Sequence, residues 1–437
     1  METPKTKAIT RFPPSPTGNL HVGGLRTALF NYLYAKRMGG EMVFRIEDTD
    51  KERSKKEYEQ NILDSLNWVG IKVGEPWRQS ERTEVYKGHL KKMIDSGLAY
   101  ISKETPKEEG ERAEVIRFKN PNKKIAFEDL ILGTIEVDTT DLGDFVIAKD
   151  LETPLYHLAV VVDDFDMGVT HIIRGQEHIA NTPRQILIQE AIGAPRPFYG
   201  HIPLILAPDK TKLSKRHGAV SVTQYKDEGY LPEVLVNFLA LIGWNPGNDR
   251  EFFTLDELCK EFSLEKVQKS SGVFDVKKLN WMNKEYIKKL PKERLTELVL
   301  ERVPKDKKDF PSFSQVFEKI LPIIVDRIER FDEVTKMFEA GEFDYFFADP
   351  VYEKSLLKNT SHLPKLLDIL GGITDDNWNA AGIKSAVWDF ATEVGRGEVL
   401  WPMRVSLSGR EKSPDPFTLA EVLGKEETVR RIKMSLE

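Results

Sequence analysis

The sequence predicts an α/β protein with a doubly wound parallel sheet, an α/β insertion and an all-α C-terminal region. Strand and helix patterns alternate from Ile9 to Val69, as they do in a doubly wound sheet. Short β-like runs replace this alternation between about Tyr100 and Leu155. From about Leu290 the apolar residues follow helical spacing, which indicates a separate helical region.

The composition is that of a soluble chain long enough for several domains. At the usual size of about 100–200 residues each, its 437 residues suggest two to four domains. The net charge of −6 argues against a chain that is basic throughout, but it leaves room for a local nucleic-acid-binding face. The N-terminus lacks the apolar core of a signal peptide, and no long apolar run occurs, so we expect a cytoplasmic protein that does not enter a membrane. Cys259 is the only cysteine, which excludes internal disulfides and a cysteine-based zinc site.

The stretch from Arg11 to Gly24, RFPPSPTGNLHVGG, combines a strand end, a rigid loop and a helix start. Three prolines stop the strand of Ile9 to Phe12, and Gly18 allows a ligand to approach the backbone closely. Helical spacing of apolar residues then begins, so a helix should start near Gly23. Its N-terminal amides favour a phosphate, and His21 can donate to one. The alternative is a proline-rich turn with a surface histidine.

The second strand, Met42 to Ile46, is followed by the acids Glu47, Asp48 and Asp50. Ligands of parallel sheets bind beyond the carboxyl ends of strands, so these carboxylates could meet an amine or a ribose. The alternative is that they cap a helix beginning near Ser54, and helical spacing is predicted from Glu57 to Val69.

Beyond the β-like runs VIRF, GTIEV and FVIAK, the α/β pattern returns. We predict that LAVVVDDFDM is a buried strand ending in Asp163 and Asp164, and that THIIRG is a strand ending in Arg174. A helix should run from Asn181, Thr182 and Pro183 to Gly193. Asp163, Asp164, Arg174 and Glu177 would then lie at the same sheet edge as His21 and Glu47, giving a cleft with charges of both signs.

The loop PDKTKLSKRHG, residues 208–218, carries Lys210, Lys212, Lys215 and Arg216, with Ser214 as a small spacer. Cations on a short loop suit a polyphosphate that gains charge during a reaction. Taken alone, the loop is equally typical of a solvated basic turn.

Two motifs in this order carry a resemblance to a known class of enzymes. HVGG at 21–24 resembles the HIGH signature, and KLSKR at 212–216 the KMSKS signature, of class I aminoacyl-tRNA synthetases. Further stretches, among them RIEDTD, IRGQEHIANTPRQ and VFDVKKLNWMN, resemble the bacterial type of glutamyl-tRNA synthetase over most of residues 8–285. This resemblance implies a Rossmann-like catalytic domain and an α-helical anticodon-binding region.

The resemblance also implies roles for individual residues. Arg11 and Arg174 would bind the two carboxylates of L-glutamate and Glu47 its ammonium group, with Ser15 and Tyr156 as further contacts. The ATP site would comprise residues of the two signatures and one near the adenosine: Gly18, His21, Gly23, Gly24, Glu177, Lys212, Ser214 and Lys215. His21 and Lys215 would be the catalytic pair.

The chemistry implied is adenylation of glutamate followed by transfer to tRNA. ATP would come with Mg²⁺ on its phosphates, and no covalent nucleophile is needed. We expect tRNA-Glu as the acceptor, leave tRNA-Gln open as a second acceptor, and expect a monomer. The chain departs from some family members at three points: Gly24 replaces a histidine, Val160 replaces an asparagine that contacts substrate, and the cysteine and histidine zinc ligands are missing, so we expect no zinc.

The resemblance gives the following domain boundaries. The catalytic domain comprises residues 1–100 and 153–207, with an acceptor-binding module inserted at 101–152. The signature loop and a stem-contact domain span 208–290. The helical region spans 291–437 and can be divided near 350–365.

Two segments could contact RNA outside the catalytic part. Residues 261–294 hold nine basic and five acidic residues, with Phe274, Trp281 and Tyr286 among them. The alternative is a charged helical surface with buried aromatics, although the resemblance favours a stem contact. Residues 401–416 carry Arg404, Arg410 and Lys412, and a simple interhelical loop is the alternative there.

Two other classes of function were weighed. A nucleotidyltransferase that adenylylates a small metabolite would share the first signature, but it would not require a basic helical C-terminal half. A catalytically inactive RNA-binding relative would have lost His21 or the cationic loop, and both are present.

Overall fold

The computed structural model describes residues 7–104, 114–211, 213, 221–310, 312–351 and 354–437. Lys212, Ser214 and Lys215 therefore lie outside the described residues. The chain forms two compact units, Met1–Met282 and Asn283–Glu437. Within the described ranges, no helix is both long enough and apolar enough to cross a membrane.

The strands, in chain order, are β1 Ile9–Phe12, β2 Glu41–Ile46, β3 Trp77–Arg78, β4 Ala99–Lys103, β5 Glu114–Phe118, β6 Lys124–Asp129, β7 Gly133–Asp138, β8 Phe145–Asp150, β9 Thr153–Pro154, β10 His171–Gly175, β11 Phe198–Ile202, β12 Ile205–Leu206 and β13 Gly272–Val273. The helices of the first unit are α1 Val22–Arg37, α2 Lys56–Trp68, α3 Thr83–Asp95, α4 Tyr156–Asp166, α5 Thr182–Ile192, α6 Val222–Asp227, α7 Pro232–Leu241, α8 Leu255–Glu261 and α9 Val276–Lys288, which continues into the second unit. The second unit contains α10 Lys292–Arg302, α11 Lys305–Lys308, α12 Phe313–Arg327, α13 Asp332–Glu339, α14 Leu363–Gly371, α15 Ala380–Val394, α16 Arg396–Ser408, α17 Pro416–Leu423 and α18 Lys425–Met434.

The parallel strands of the first unit meet at β1 and β10. β1 pairs with β2, and β2 pairs with β3, all in parallel. β10 pairs in parallel with β11, so that Arg174 lies opposite His201. The two groups are adjacent, because the Thr170 amide donates to the Ile9 carbonyl at 2.9 Å. The carboxyl ends of β1, β2 and β10 therefore bring Arg11, Glu47 and Arg174 to one region, as the strand-end pattern predicts for Glu47 and Arg174.

The first helix follows its sequence pattern. α1 begins at Val22, and the apolar residues of the predicted face that are fully buried are Leu25, Ala28, Leu29 and Leu33. β2, α2, β10 and α5 also match their predictions, and α5 ends at Gly193, whose positive φ suits glycine at a helix C-terminus.

The prediction of a strand at LAVVVDDFDM is wrong, because Tyr156–Asp166 is the helix α4. All of its residues from Leu158 to Asp164 are buried, and no exposed polar residue interrupts the apolar run from Leu158 to Val162. An unbroken apolar run has neither helical nor strand periodicity, and its valines favoured the wrong choice. Asp163 and Asp164 accordingly lie in the last turns of a buried helix and not at a strand end.

The inserted segment divides between two sheets. Strands β4, β5, β8 and β9 form an antiparallel sheet of their own. The β6–β7 hairpin instead joins the main sheet, where Asp129 pairs with Tyr199 of β11. This part of the insertion extends the sheet that carries the candidate site.

The second unit is helical, as predicted. Its core includes Val387 and Ala391 of α15 and Leu407 of α16, all with no exposed surface. α16 extends through Ser408, so the first half of the 401–416 segment is helix and only its second half is an interhelical connection.

Among the aromatic residues proposed to interleave with cations, Phe274 is 1% exposed and packs against Phe238 at 5.0 Å between ring centroids. It is therefore a core residue and is not available to stack on a base. Trp281, by contrast, is 42% exposed.

Candidate active site

A single cavity of about 1130 Å³ is lined by every described residue that the resemblance assigned to the glutamate and ATP sites, whereas Asp163 and Asp164, which the sequence also placed at the cleft, do not line it. Those that line it are Arg11, Ser15, Gly18, His21, Gly23, Gly24, Glu47, Tyr156, Arg174 and Glu177. Leu213, which lies between Lys212 and Ser214 in the basic loop, also lines it. The volume exceeds the roughly 300–1,000 Å³ of typical small-molecule pockets, so more than one small ligand can be accommodated.

His21 closes the N-terminus of α1. Its Nδ1 accepts a hydrogen bond from the Gly24 amide at 3.0 Å. The neutral imidazole therefore carries its proton on Nε2, which makes that nitrogen a donor. A Cβ on residue 23 would lie 3.0 Å from both Cε1 and Nδ1 of His21, so Gly23 allows the ring to fold over the helix start.

Arg11 and Glu47 are joined through a buried ion-pair network centred on Arg45. The Arg45 guanidinium lies 2.7 Å from Asp164 and 3.0 Å from Glu47, and its side chain has no exposed surface. Asp164 also accepts from Nε of Arg11 at 3.3 Å. The network fixes a cation and a carboxylate side by side in the wall of the cavity.

Burial and the neighbouring charges act in opposite directions on these carboxyl groups. Burial raises the pKa of Glu47, although Arg45 partly offsets it. Burial also opposes ionisation of Asp164, but Arg11 and Arg45 prevail and hold its pKa below the usual range. Asp164 is therefore favoured as the ionised counter-ion of the two arginines, while Glu47 is the more readily protonated of the two carboxyl groups.

Arg174 is a buried cation in the wall of the cavity without a counter-ion among the described residues, as is Arg26. Arg174 is 5% exposed, and no carboxylate in the described ranges forms an ion pair with it. Its guanidinium donates to neutral acceptors: Gln185 Oε1 at 2.7 Å, Thr182 Oγ1 at 2.8 Å and His201 Nε2 at 3.2 Å. Burial lowers its pKa from the usual value for arginine. A buried, unbalanced guanidinium is a site for an anionic ligand.

Tyr156 faces the same group of charges. Its hydroxyl lies 3.5 Å from Nδ1 of His178, and 38% of the residue surface is exposed. Burial of the hydroxyl and the nearby Glu47 raise its pKa, while Arg174 and Arg11 act in the opposite direction. The phenol is therefore neutral near pH 7 and can donate a hydrogen bond.

Two buried arginines of this region were not predicted as site residues. Arg45 lies within the predicted second strand, and its role depends on Asp164 across the fold. Arg26 lines the cavity, donates to the carbonyls of Pro203 and Ile242, and has a pKa lowered by burial to about 10. A charged residue on the apolar face of α1 was the available sequence signal for it.

Among the described residues, no three His, Cys, Asp or Glu side chains are grouped closely enough to hold a metal ion. The carboxylates that line the described part of the cavity are Glu47 and Glu177. The expectation that the chain lacks zinc stays a prediction.

Comparison with known proteins agrees with this geometry. The family model for "tRNA synthetases class I (E and Q), catalytic domain" matches residues 7–114 and 104–281, and the model "Anticodon binding domain" matches residues 277–436. A glutamate–tRNA ligase of Desulforamulus reducens is 38% identical over 98% of this chain and 99% of its own length. That of Carboxydothermus hydrogenoformans is 39% identical, over 97% of this chain and 98% of its own.

Solved structures give the same result for the fold. A crystal structure of a glutamate tRNA ligase from Elizabethkingia meningosepticum, in complex with its amino acid, has a TM-score of 0.83 and 31% identity, and the match covers 99% of each chain. The glutamate-tRNA synthetase of Elizabethkingia anophelis has a TM-score of 0.82 and 32% identity. Because sequence and structure agree over nearly the full length, the chain belongs to the glutamate–tRNA ligase family of class I aminoacyl-tRNA synthetases.

Proposed function

We propose that this protein ligates L-glutamate to tRNA in an ATP-dependent reaction that passes through a glutamyl-adenylate. The observation that carries the proposal is one cavity that combines an unbalanced buried guanidinium, Arg174, with the paired Arg11 and Glu47. A ligand with two carboxylates and one ammonium group complements these charges, and glutamate has that composition.

The amino-acid subsite follows from the charges of its residues. Arg174, which has no counter-ion in the described part of the chain, would take one carboxylate of glutamate. Arg11 would take the other, since its Nε is held by Asp164 and its remaining nitrogens can be shared with a ligand. Glu47 would accept from the ammonium group, and Ser15 and Tyr156, which line the same cavity, would complete the contacts.

The ATP subsite follows from the start of α1. Its first amides and positive helix end favour phosphate oxygens, and His21 presents Nε2–H beside them. Gly18, Gly23 and Gly24 leave the backbone accessible, and Glu177 would lie near the adenosine. Lys212, Ser214 and Lys215 would meet the phosphates from the basic loop.

In the first step a glutamate carboxylate oxygen would attack the α-phosphorus of ATP. The bond to the β-phosphate breaks, and pyrophosphate leaves with the electron pair. A hydroxyl of the terminal ribose of tRNA then attacks the acyl carbon, forms the ester and releases AMP. His21 and Lys215 would stabilise the charge that develops on the phosphates. Mg²⁺ would supply further charge neutralisation, with ligands mainly from phosphates and water, which fits a cavity with few carboxylates.

The acceptor is tRNA, with the helical second unit as its anticodon-binding region. The match of residues 277–436 to an anticodon-binding family supports this part of the proposal. We propose tRNA-Glu as the substrate, and charging of tRNA-Gln is left to the same assay. A monomer is the expected state, and the domain boundaries given above are part of the proposal.

The test is charging of purified tRNA-Glu and tRNA-Gln with labelled glutamate or glutamine, beside glutamate-dependent ATP–pyrophosphate exchange with and without tRNA. Arg174→Gln should abolish charging because it removes the unbalanced cation. Arg196→Gln is the matched control, since Arg196 pairs with Glu190 at the surface and does not line the cavity. Failure of the wild-type protein to attach glutamate to either tRNA would contradict the proposal.

A further inference from the structure

We propose that Asp129 and His201 act as a positioning dyad that holds Arg174 in the orientation needed to bind a substrate carboxylate. The inference rests on the proposed function, because it assigns to Arg174 a carboxylate of glutamate. It adds two residues that lie outside both signatures and do not line the cavity. One of them, Asp129, belongs to the segment inserted into the catalytic fold.

Asp129 and His201 form a buried, saturated pair. His201 Nδ1 lies 2.6 Å from Asp129 Oδ2, and neither side chain has exposed surface. The carboxylate also accepts from the backbone amides of Ile131 at 2.9 Å, Leu132 at 2.8 Å and His201 at 3.1 Å. These donors keep Asp129 ionised: burial alone would raise its pKa, but its hydrogen bonds, chiefly that from His201, lower it below the usual range.

The carboxylate determines the tautomer of His201. An ionised Asp129 can only accept, so Nδ1 must carry a proton. Burial lowers the pKa of His201, which keeps the ring neutral at pH 7 and leaves Nε2 without a proton. Nε2 is therefore an acceptor, and Nε–H of Arg174 donates to it at 3.2 Å. The chain of bonds runs from the inserted hairpin through β11 to the candidate glutamate site.

This chain completes the support of Arg174. With Gln185 and Thr182 on the terminal nitrogens and His201 on Nε, each guanidinium nitrogen has a neutral acceptor. The plane of the fork is thereby fixed, while the positive charge stays uncompensated. An aspartate in direct contact would instead have neutralised Arg174 and competed with the substrate, so the intervening imidazole transmits orientation without transferring charge.

Protonation of His201 would break the chain. Doubly protonated imidazole has no acceptor, so Nε2–H would face Nε–H of Arg174 and could donate only to Thr182 Oγ1, which also lies 3.2 Å from Nε2. The charged or titratable groups around His201 are Asp129 from the hairpin, Arg174 from β10, Arg11 from β1, Tyr199 on its own strand and His178 from the segment between β10 and α5. Asp129 favours the proton and the two arginines oppose it, so loss of glutamate affinity should begin only below the usual pKa range of histidine.

A purely structural role is the competing explanation. His201 stacks on Tyr199 at 6.3 Å between ring centroids, and Phe127 packs at 6.4 Å, so any substitution can loosen the sheet. Loss of packing would lower stability and weaken both substrates together. Loss of positioning would weaken glutamate alone, and a neutral acceptor would restore its binding.

The experiment measures KM for glutamate and for ATP in tRNA charging from pH 5.5 to 8.5, with melting temperatures, for wild type and four variants. Asp129→Asn places an amide donor opposite Nδ1 and so favours the wrong tautomer of His201. His201→Ala removes the acceptor, whereas His201→Gln supplies a neutral oxygen that does not titrate. His171→Gln is the matched control, because His171 is a buried histidine at the opposite end of the β10–β11 pair.

Positioning predicts that Asp129→Asn and His201→Ala raise KM for glutamate about tenfold, the usual value of a hydrogen bond to a charged group, while KM for ATP stays within about twofold. His201→Gln should recover most of the glutamate affinity and abolish the rise of KM in acid.

The dyad would be overturned if Asp129→Asn left KM for glutamate unchanged. It would also be overturned if the variants raised KM for glutamate and KM for ATP equally, which is the result expected from His171→Gln. If Asp129→Asn does not fold, the comparison of His201→Ala with His201→Gln decides the question alone. A wild-type protein that charges no tRNA with glutamate would overturn the proposed function and this inference with it, and that failure is visible before any variant is tested.

Discussion

Substitution of Arg45 by Gln removes the centre of the ion-pair network while keeping the size of the side chain nearly the same. Glu47 loses its partner at 3.0 Å, and Asp164 loses one of its two guanidinium partners. Asp163, which lies 3.8 Å from Arg45 Nε, keeps Arg82 at 2.7 Å. Glu47 is therefore the group most affected by the change.

Two magnitudes follow for Arg45→Gln. Breaking a buried ion pair by removing one partner costs about 3–5 kcal/mol, so the first unit should be less stable by roughly that amount at neutral pH. Arg45 also opposes the effect of burial on Glu47, so its removal raises the pKa of Glu47 further. An opposite charge within about 4–6 Å shifts a pKa by about one unit or more, so removal of Arg45 should raise the pKa of Glu47 by about that amount.

The assay is kcat/KM for glutamate as a function of pH. Binding of the substrate ammonium needs ionised Glu47, so activity falls as the pH drops through the pKa of Glu47, which is already raised in the wild type. In Arg45→Gln this acid limb should move to higher pH by about one unit or more. The stability contributed by the lowered pKa of Asp164 is present above the usual pKa of aspartate and lost in acid, so the stability deficit of Arg45→Gln should shrink as the pH falls.

Arg78→Gln is the matched control for Arg45→Gln, because Arg78 lies on the neighbouring strand β3 and pairs with Glu59 at the edge of the fold. It should leave the acid limb in place. Arg45→Lys keeps a charge and should give an intermediate displacement. An acid limb that is unmoved in a folded Arg45→Gln protein, or displaced to lower pH, would refute the assignment of Glu47 as the ammonium acceptor held by Arg45.

Three further predictions concern the helix starts and the basic loop. Lys215→Ala should reduce mainly kcat, because its cation would act as charge develops on pyrophosphate, and a raised KM with unchanged kcat would contradict this. His21→Ala should slow adenylate formation in single-turnover experiments, and Gly23→Ala should do so less strongly, because its Cβ would push the His21 ring by only a few tenths of an ångström; normal activation rates in both would refute the role of His21. Asn379→Ala, which removes the side-chain cap from the Gly382 amide at the start of α15, should cost about 1 kcal/mol of stability in a thermal melt without changing ATP–pyrophosphate exchange in the presence of tRNA.

Local patterns predicted the parts of the site that are close together in the chain. The prolines, glycines and apolar spacing of residues 9–33 determine a strand, a loop and a helix start. His21 caps that helix by accepting from the amide of Gly24, only three residues further along the chain. The ends of β2 and β10 were likewise readable, because parallel strands present their carboxyl ends on one edge. Glu47 and Arg174 could therefore be placed in one cleft before their contacts were known, and the resemblance added Arg11.

The wrong prediction for α4 shows where local patterns fail. Leu158 to Val162 are buried on all sides of the helix, so the alternation or the helical spacing that normally reveals the choice is missing. Only the neighbouring elements determine whether such a run packs as a strand or as a helix.

The sequence by itself indicated the fold class and the two signatures, since each depends on the order and spacing of neighbouring residues. Through the resemblance it also named most of the charged residues that line the cleft, although not Arg26. The tertiary structure alone decided which charges neutralise each other. Arg45 reaches Asp164 across 119 positions of sequence, and His201 reaches Asp129 across 72. Hydrogen bonds at this separation depend on how strands and helices pack and leave no periodic trace in the chain, so the uncompensated charge of Arg174 could be recognised only in the folded protein.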